Sequence, residues 1–336
     1  MAARVGIIGC GMIGRKRASA LDGDELVGCS DVNRSAAEAL ASEYGSETCS
    51  TLGALLALSP DVVVVAVTHD HLSEVSIAAL QHGAHVLVEK PAGLSVAEVD
   101  AIASAAAAAD RRVKVGFNHR FHPGIRKAVT EARSGEHGEI LHVRARYGHG
   151  GRVGYDREWR ADVNRSGGGE IVDQGMHLLD LSHWLLGPLP LHSSLLRTHF
   201  WDTEVDDNAV LILGERDSRT APWALLHVSW TEWKNLFSLE IYCTTAKLHV
   251  DGLVRSYGPQ RLRIFRMRPE LGPPDVEAFE WPDEDMSWLE EWRHFRDAIA
   301  SGSPLLGGLQ DARFAWDVID RAYRESGYEA VREGVG

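Results

Sequence analysis

Two groups of residues in this chain have types and spacings that chemistry could use. The first is Gly9-Cys10-Gly11-Met12-Ile13-Gly14, a G-x-G-x-x-G run directly after the apolar stretch Val5-Gly6-Ile7-Ile8. Glycine at the first position permits a tight turn. At the second it lets backbone approach a diphosphate, and at the third it lets a helix pack closely on the strand. The N–H groups at the start of that helix would hold the anion, with the helix dipole in favour. Asp31 ends a second strand-like run, Glu25 to Ser30, where a carboxylate can accept both hydroxyls of an adenine ribose. A lone glycine triplet is only a turn; strand, turn, helix, strand and acid in this order predict a bound dinucleotide. Asp31 favours NAD because it would repel a 2′-phosphate, while Arg34 keeps NADP open.

The second group is a carboxylate, an imidazole and an ammonium. Asp173 and His177 stand at i and i+4 in a helix expected over residues 170–186, hence on one face, which Asp180 and Trp184 continue. A carboxylate beside a histidine raises its pKa and fixes its ring, as a general base requires. An exposed helix pair of little energetic worth has the same spacing. Glu89-Lys90-Pro91 closes a strand over residues 85–88. Ligands of an open parallel sheet bind beyond the carboxyl ends of its strands, so Lys90 is aimed at the cofactor edge. Pro91 restricts Lys90 to extended backbone. A solvated Glu–Lys pair fits these residues equally well. His69 and His71 flank Asp70 after Thr68, without further ligands at metal spacing. No metal is expected, and both histidines are read as lining the cofactor cleft. Trp223 and Trp230 read as sheet packing, and Trp233, at a strand end, could touch a substrate.

These residues need elements to hold them. Helical patterns over 35–44, 52–58, 72–82 and 96–109 alternate with strands at 62–67, 85–88 and 114–117. Val62 to Val67 is apolar at every position, as expected of a parallel strand covered on both faces. Alternation to about residue 120 predicts a doubly wound parallel sheet. After Pro123 the pattern changes. A helix (124–133), a strand (139–147) and a long Gly- and Arg-rich loop (148–169) precede the Asp173/His177 helix. Strands at 209–213, 224–230, 236–243, 247–250 and 261–266 then follow closely, with closing helices at 288–299 and 310–325. The expected architecture is α/β: a Rossmann domain over 1–121, then over 122–336 an α+β substrate-binding and oligomerisation domain with a large open, mostly antiparallel sheet. The cleft is expected between them.

Length and composition agree with two domains: 336 residues, 44% apolar and 25% charged. A net charge of −13 disfavours nucleic acid and anionic membrane as partners and would tolerate a cationic substrate. Cys10, Cys29, Cys49 and Cys243 form no C-x-x-C pair and read as small buried residues in a reducing compartment. No signal peptide fits before a strand at Val5, and no apolar run spans a bilayer, so a cytoplasmic location is expected. In the run 236–243, Phe237, Leu239 and Ile241 face one side of the sheet and Ser238 and Glu240 the other. Too few helices follow to cover both faces, which predicts a homodimer or homotetramer.

Four motifs in this order resemble the Gfo/Idh/MocA oxidoreductases over nearly the whole chain. They are Gly9 to Gly14, Glu89-Lys90-Pro91, Gly116-Phe117-Asn118-His119-Arg120-Phe121, and Gly167-Gly168-Gly169 leading into Asp173-Gln174-Gly175-Met176-His177. The resemblance implies an NAD(P)-dependent sugar dehydrogenase acting on a secondary ring hydroxyl, with C3 the leading atom. It also points towards saccharide or aminoglycoside biosynthesis. It implies Lys90 at the reacting hydroxyl, His177 as proton acceptor and Asp173 beside it. The cofactor would meet Gly9, Gly11, Met12, Ile13, Gly14, Asp31, Thr68, His69, His71, Glu89, Lys90 and Asn118. The sugar would meet Lys90, Arg120, Trp159, Arg160, Asp173, His177 and Trp233. Thr68-His69 departs from the Thr-Pro of many members, which puts in question the loop over the nicotinamide. Two other classes fit the same motifs: a hydrolase that keeps NAD bound and cleaves glycosides without net redox change, and a non-catalytic NAD-binding sensor.

Overall fold

The computed structural model describes residues 2–270, 272–281 and 284–328. The chain divides into two compact units, Met1–Asn118 with Trp288–Arg313, and His119–Ser287 with Phe314–Gly336. In chain order, the first unit contains β1 (Arg4–Ile8), α1 (Met12–Ser19), β2 (Glu25–Ser30), α2 (Arg34–Tyr44), β3 (Glu47–Thr48) and α3 (Leu52–Leu56). It continues with β4 (Val62–Val65), α4 (His69–Gln81), β5 (His85–Val88), α5 (Val96–Ala109) and β6 (Val113–Val115). The sheet order is β3-β2-β1-β4-β5-β6, with every pair parallel. Chain direction across the sheet reverses at β1 and β4, the place where such sheets bind ligands beyond their carboxyl ends. All four valines of β4 are fully buried, because helices cover both faces.

The helix starts follow from side-chain chemistry. Asn33, Thr51 and Ser95 each accept a hydrogen bond from the backbone N–H three residues on, satisfying a donor that the helix leaves without a partner. Helix α4 opens at His69 rather than near Leu72, so His69 and His71 lie in its first turn and not in a loop. The first helical position is where proline is favoured; in this chain His69 occupies it.

The helix Ser287–Ser301, far along the chain, also belongs to the first unit's core. Trp292 donates from its indole nitrogen to the Leu21 carbonyl (3.1 Å), and Trp292 and Phe295 pack with Val5, Ile7, Leu40 and Val62. This corrects the expected domain limits of 1–121 and 122–336. An amphipathic pattern identifies an apolar face, but does not say which sheet that face covers.

The second unit holds α6 (Pro123–Arg133), β7 (Ile140–Gly148), α7 (Val163–Ser166), α8 (Met176–Leu186), β8 (Leu191–Arg197), β9 (Asn208–Gly214) and β10 (Trp223–Ser229). Then come β11 (Leu236–Cys243), β12 (Ala246–Asp251), β13 (Gln260–Arg266) and β14 (Asp275–Trp281). The 287–301 helix is α9, and α10 is Leu309–Glu325. The eight-stranded sheet runs β14-β13-β12-β11-β7-β10-β9-β8, with β7 and β10 parallel and every other pair antiparallel. The two edge strands, β8 and β14, escaped the sequence reading because serines and acids interrupt their apolar alternation, as suits an edge.

Helix α6 packs on β11 to β14, and α8 on β7 and β10. Phe237, Leu239 and Ile241 are buried in β11, and alternation sends Ser238, Glu240 and Tyr242 to the other face. There Trp223, His142 and Tyr242 stack across three strands, with ring centroids 4.4 and 4.2 Å apart. Arg144, Arg146, Ser238 and Glu240 line a groove of about 350 Å³ on that face. Among the described residues no helix is long and apolar enough to cross a membrane.

Candidate active site

In the first unit, the glycine loop has the geometry its spacing requires. Gly9 takes φ +91°, and a Cβ there would stand 2.2 Å from the Ala66 carbonyl oxygen. A Cβ on Gly14 would stand 1.9 Å from the Gly9 carbonyl oxygen, so both positions need glycine. A Cβ on Gly11 would meet nothing within 4 Å. That is open space at the N-terminus of α1, where a diphosphate could reach backbone N–H groups. Met12 is exposed and Ile13 half-buried beside it. Asp31 binds the loop directly: Oδ2 accepts from the Cys10 N–H (2.6 Å) and Oδ1 from the Asn33 N–H (2.7 Å). It therefore fixes the loop as well as standing half-exposed at the end of β2. Arg34 is exposed and paired with Glu38 at 2.8 Å, on its own helix. These residues fit NAD: open backbone for the diphosphate and a carboxylate for the ribose.

Thr68 precedes α4 in extended conformation, with His69 buried and His71 exposed 3.6 Å from Asp70. Lys90 is half-buried two residues past the end of β5, and the Lys90–Pro91 peptide is cis. Asn118 is buried just after β6. Glu89, expected at the cofactor, has a partner within the first unit. Its carboxylate is buried against the Arg17 guanidinium, with Nε at 2.6 Å and Nη2 at 2.5 Å.

In the second unit, Asp173 and His177 are close in sequence but do not lie on a regular α-helix. Residues Ile171–Gly175 form a π-turn before α8 begins at Met176. A π-turn changes the angular step per residue, so the regular i, i+4 alignment is replaced by a local widening, a frequent feature of functional sites. His177 is buried and stacks on His119, with centroids 3.8 Å apart and planes at 26°. Tyr147, at the end of β7, is 6.3 Å from the His177 ring and 5.2 Å from that of His119. Asp173 meets Arg160 at 3.4 Å, and the Arg160 guanidinium lies over the Trp159 ring at 4.6 Å. Donor atoms of His149, Glu170 and Asp173 lie within 4.8 Å of one another. Burial lowers the His149 pKa, so its imidazole is neutral at neutral pH. Burial likewise pushes the Tyr257 hydroxyl up to about 12, leaving it a proton donor that accepts from Gln174 at 3.2 Å. The arrangement is the half-buried imidazole of His149 beside two carboxylates, with a guanidinium held on one of them.

Two residues expected at the sugar have defined protein contacts of their own. Arg120 is buried in a two-pronged pair with Asp180, at 2.8 and 2.6 Å, which holds the Asn118–Phe121 turn on α8. Trp233 is exposed and packs edge-on against Phe200 at 4.9 Å. Sequence reading missed His119, Tyr147, His149, Glu170 and Tyr257. His119 sits inside a quoted motif, but its neighbours Asn118 and Arg120 were chosen in its place. The others come from strand ends and loops whose convergence only the fold reveals.

Asp206 also escaped notice, and it builds the platform under this site. Fully buried, it accepts from the Gly169 N–H (3.3 Å), the Ile171 N–H (2.9 Å) and the Tyr323 hydroxyl (2.5 Å). It thus holds the start of the π-turn that carries Asp173.

Comparison with known proteins identifies both units. Residues 3–117 match the family model described as an oxidoreductase family with an NAD-binding Rossmann fold, and residues 125–249 match the GFO/IDH/MocA C-terminal domain. The chain is 31% identical to a D-glucoside 3-dehydrogenase of Escherichia coli (strain K12), over 55% of this chain and 54% of that one. It is 29% identical to a glucose-6-phosphate 3-dehydrogenase of Bacillus subtilis (strain 168), over 54% and 53%. The chain thus spans about half the length of these curated relatives. Its fold is also that of GenD2 from gentamicin A biosynthesis, solved with NAD, at a TM-score of 0.82 and 23% identity over 97% and 94% of the two chains. The chain belongs to the Gfo/Idh/MocA oxidoreductase family, and its first unit is that family's NAD-binding Rossmann domain.

Proposed function

We propose that the protein is an NAD-dependent dehydrogenase that reversibly oxidises a secondary ring hydroxyl, at C3, of a sugar, nucleotide sugar or glycoside. The observation that carries this reading is the buried His177, stacked on His119 at 3.8 Å, on a helix whose preceding π-turn supplies Asp173. His177 takes the hydroxyl proton, a role that requires an imidazole within hydrogen-bond reach of the oxygen. Asp173 orients the ring and favours its protonated form. The Lys90 ammonium stabilises the oxygen as its negative charge develops. NAD, when bound, accepts the hydride from the carbinol carbon at nicotinamide C4. Gly9 to Gly14 and Asp31 hold its diphosphate and ribose. The choice of C3 is supported by the names of two relatives, both 3-dehydrogenases.

The test is a screen of NAD reduction against pyranoses, nucleotide sugars and aminoglycosides, with the oxidised carbon located by NMR of the product. NADH formation with a 3-keto product supports the reading. Cleavage of a glycoside without NADH accumulation would favour a redox-neutral hydrolase, and NAD binding without turnover of any sugar would favour a sensor. We further propose a cytoplasmic enzyme that acts as a homodimer or homotetramer through the open face of the eight-stranded sheet. The groove there and the stacked Trp223, His142 and Tyr242 support that reading. Light scattering giving a 36.9 kDa particle at micromolar concentration would overturn it.

A further inference from the structure

Four charged side chains lie together in the core of the first unit. Arg17 reaches from the second turn of α1 and holds Glu89 on one side and Glu291 on the other, with Nη1 2.6 Å from a Glu291 oxygen. Lys114 of β6 holds the second Glu291 oxygen at 2.7 Å and also donates to the Gly307 carbonyl at 3.1 Å. Arg17, Lys114 and Glu291 are at most 2% exposed, and Glu89 is 9% exposed. The guanidinium of Arg17 is covered by the Trp288 ring at 4.5 Å. Gly116 leaves room for the pair: a Cβ there would stand 2.7 Å from Arg17 Nη2 and 2.8 Å from Glu89 Oε2. Two cations and two anions make the set neutral.

Buried ion pairs add little net stability, and apolar residues of similar volume often serve as well or better. What such a set supplies is direction, because each carboxylate has one place where its charge is balanced. The elements it joins are telling. Helix α1 starts at the glycine loop, and Glu89 is followed at once by Lys90. Glu291 comes from α9, so a segment near the chain's end completes the set.

We infer that Glu89 is a positioning residue for Lys90, and that Arg17, Glu291 and Lys114 hold Glu89 so that Lys90 keeps a fixed place relative to the dinucleotide loop. This rests on the role given to Lys90 above. Two consequences separate positioning from mere packing. Glu89 adjoins Lys90 in the chain and is gripped by Arg17, whereas Glu291 spends its charge on Arg17 and Lys114. Loosening the grip on residue 89 should therefore act on Lys90 directly, and removing the charge at 291 should act chiefly on stability.

The experiment compares wild type with Glu89→Gln, Glu89→Asp and Glu291→Gln. Lysines are reductively methylated with a ¹³C label, and the Lys90 signal is assigned through Lys90→Arg; its position at one fixed pH reports the surroundings of the side chain. NAD affinity, melting temperature and single-turnover hydride transfer are measured on the unmethylated proteins. Glu89→Gln and Glu89→Asp should keep NAD affinity within about threefold, since its contacts lie elsewhere, move the Lys90 resonance and slow hydride transfer by about tenfold or more. Glu291→Gln leaves Arg17 on Glu89, so it should lower the melting temperature and move the resonance less. An unmoved Lys90 resonance in Glu89→Gln and Glu89→Asp, or one moved equally by Glu291→Gln, would overturn the inference. If Glu89→Gln does not fold, wild-type transfer rates in Glu89→Asp would overturn it. Failure of wild type to oxidise any sugar would count against the proposed function alone, because the lysine signal is read without substrate.

Discussion

Replacing Asp206 by asparagine should change how stability depends on pH more than it changes stability at neutrality. The carboxyl is fully buried, and burial pushes its pKa from 3.8 to about 6 against the pull of the Tyr323 hydroxyl and the Ile171 and Gly169 N–H groups. The folded pKa is thus raised above the unfolded one. Between about pH 4 and pH 6 the native state binds more protons, so stability falls as pH rises through that window and levels off above it. A shift of about 2 units is worth on the order of 3 kcal/mol. The asparagine of Asp206→Asn cannot ionise and escapes this penalty, but it turns one amide N–H towards a donor that the carboxylate accepted, at a cost of roughly 1–3 kcal/mol. At pH 7 the two effects nearly cancel. At pH 4 the wild type should be more stable than the variant by the mismatch cost alone. Urea unfolding of both proteins at half-unit steps from pH 4 to pH 8 gives the difference directly, and other titrating groups drop out of it. A difference that is flat with pH would show that Asp206 ionises in the folded protein as it does in water, and the reasoning would fail.

Three further outcomes follow from the site. His177→Ala should reduce single-turnover hydride transfer by roughly 10²–10⁴ while NAD affinity, read by fluorescence titration, stays near wild type; near wild-type transfer would remove His177 from the chemistry. Asp31 should make NADH bind more tightly than NADPH, because Arg34 is engaged by Glu38 on its own helix, and tighter NADPH binding would refute that. Arg120→Ala should lose roughly 3–5 kcal/mol of unfolding free energy, since it leaves the Asp180 carboxylate buried without its guanidinium, whereas a rise in sugar KM at unchanged stability would restore Arg120 to the substrate.

Much of the Rossmann unit was legible because its signals are local. The spacing of Gly9, Gly11 and Gly14 encodes a turn, an opening and a close approach, and each appears where expected. The helices expected from 35, 52 and 96 begin within one residue of those positions, after Asn33, Thr51 and Ser95. The run of valines in β4 announces burial on both faces. The aspartate and histidine at 173 and 177 were legible as a pair of residue types, but not the π-turn at Ile171–Gly175, since no local propensity distinguishes a π-turn from an α-helix. Nor was the destination of α9, because the contact of Trp292 with Leu21 joins residues at opposite ends of the chain.

The same distinction explains why the motif residues divide as they do. A motif constrains residue type at a position, and both a ligand contact and a buried support impose such a constraint. Glu89 and Arg120 stand in motifs with Lys90 and Asn118, yet both are spent on buried ion pairs, with Arg17 and Asp180. Their partners lie 72 and 60 residues away in sequence, beyond any spacing rule. A charged side chain in a site motif is therefore ambiguous until its burial is known. If it is half-exposed, as Lys90 is, its charge can reach a substrate. If it is buried against an opposite charge, its first contribution is to fix the backbone around it. Substitutions in this protein should for that reason be read on two axes, stability and turnover. Residues that touch the sugar move the second alone, and residues that hold the site move both.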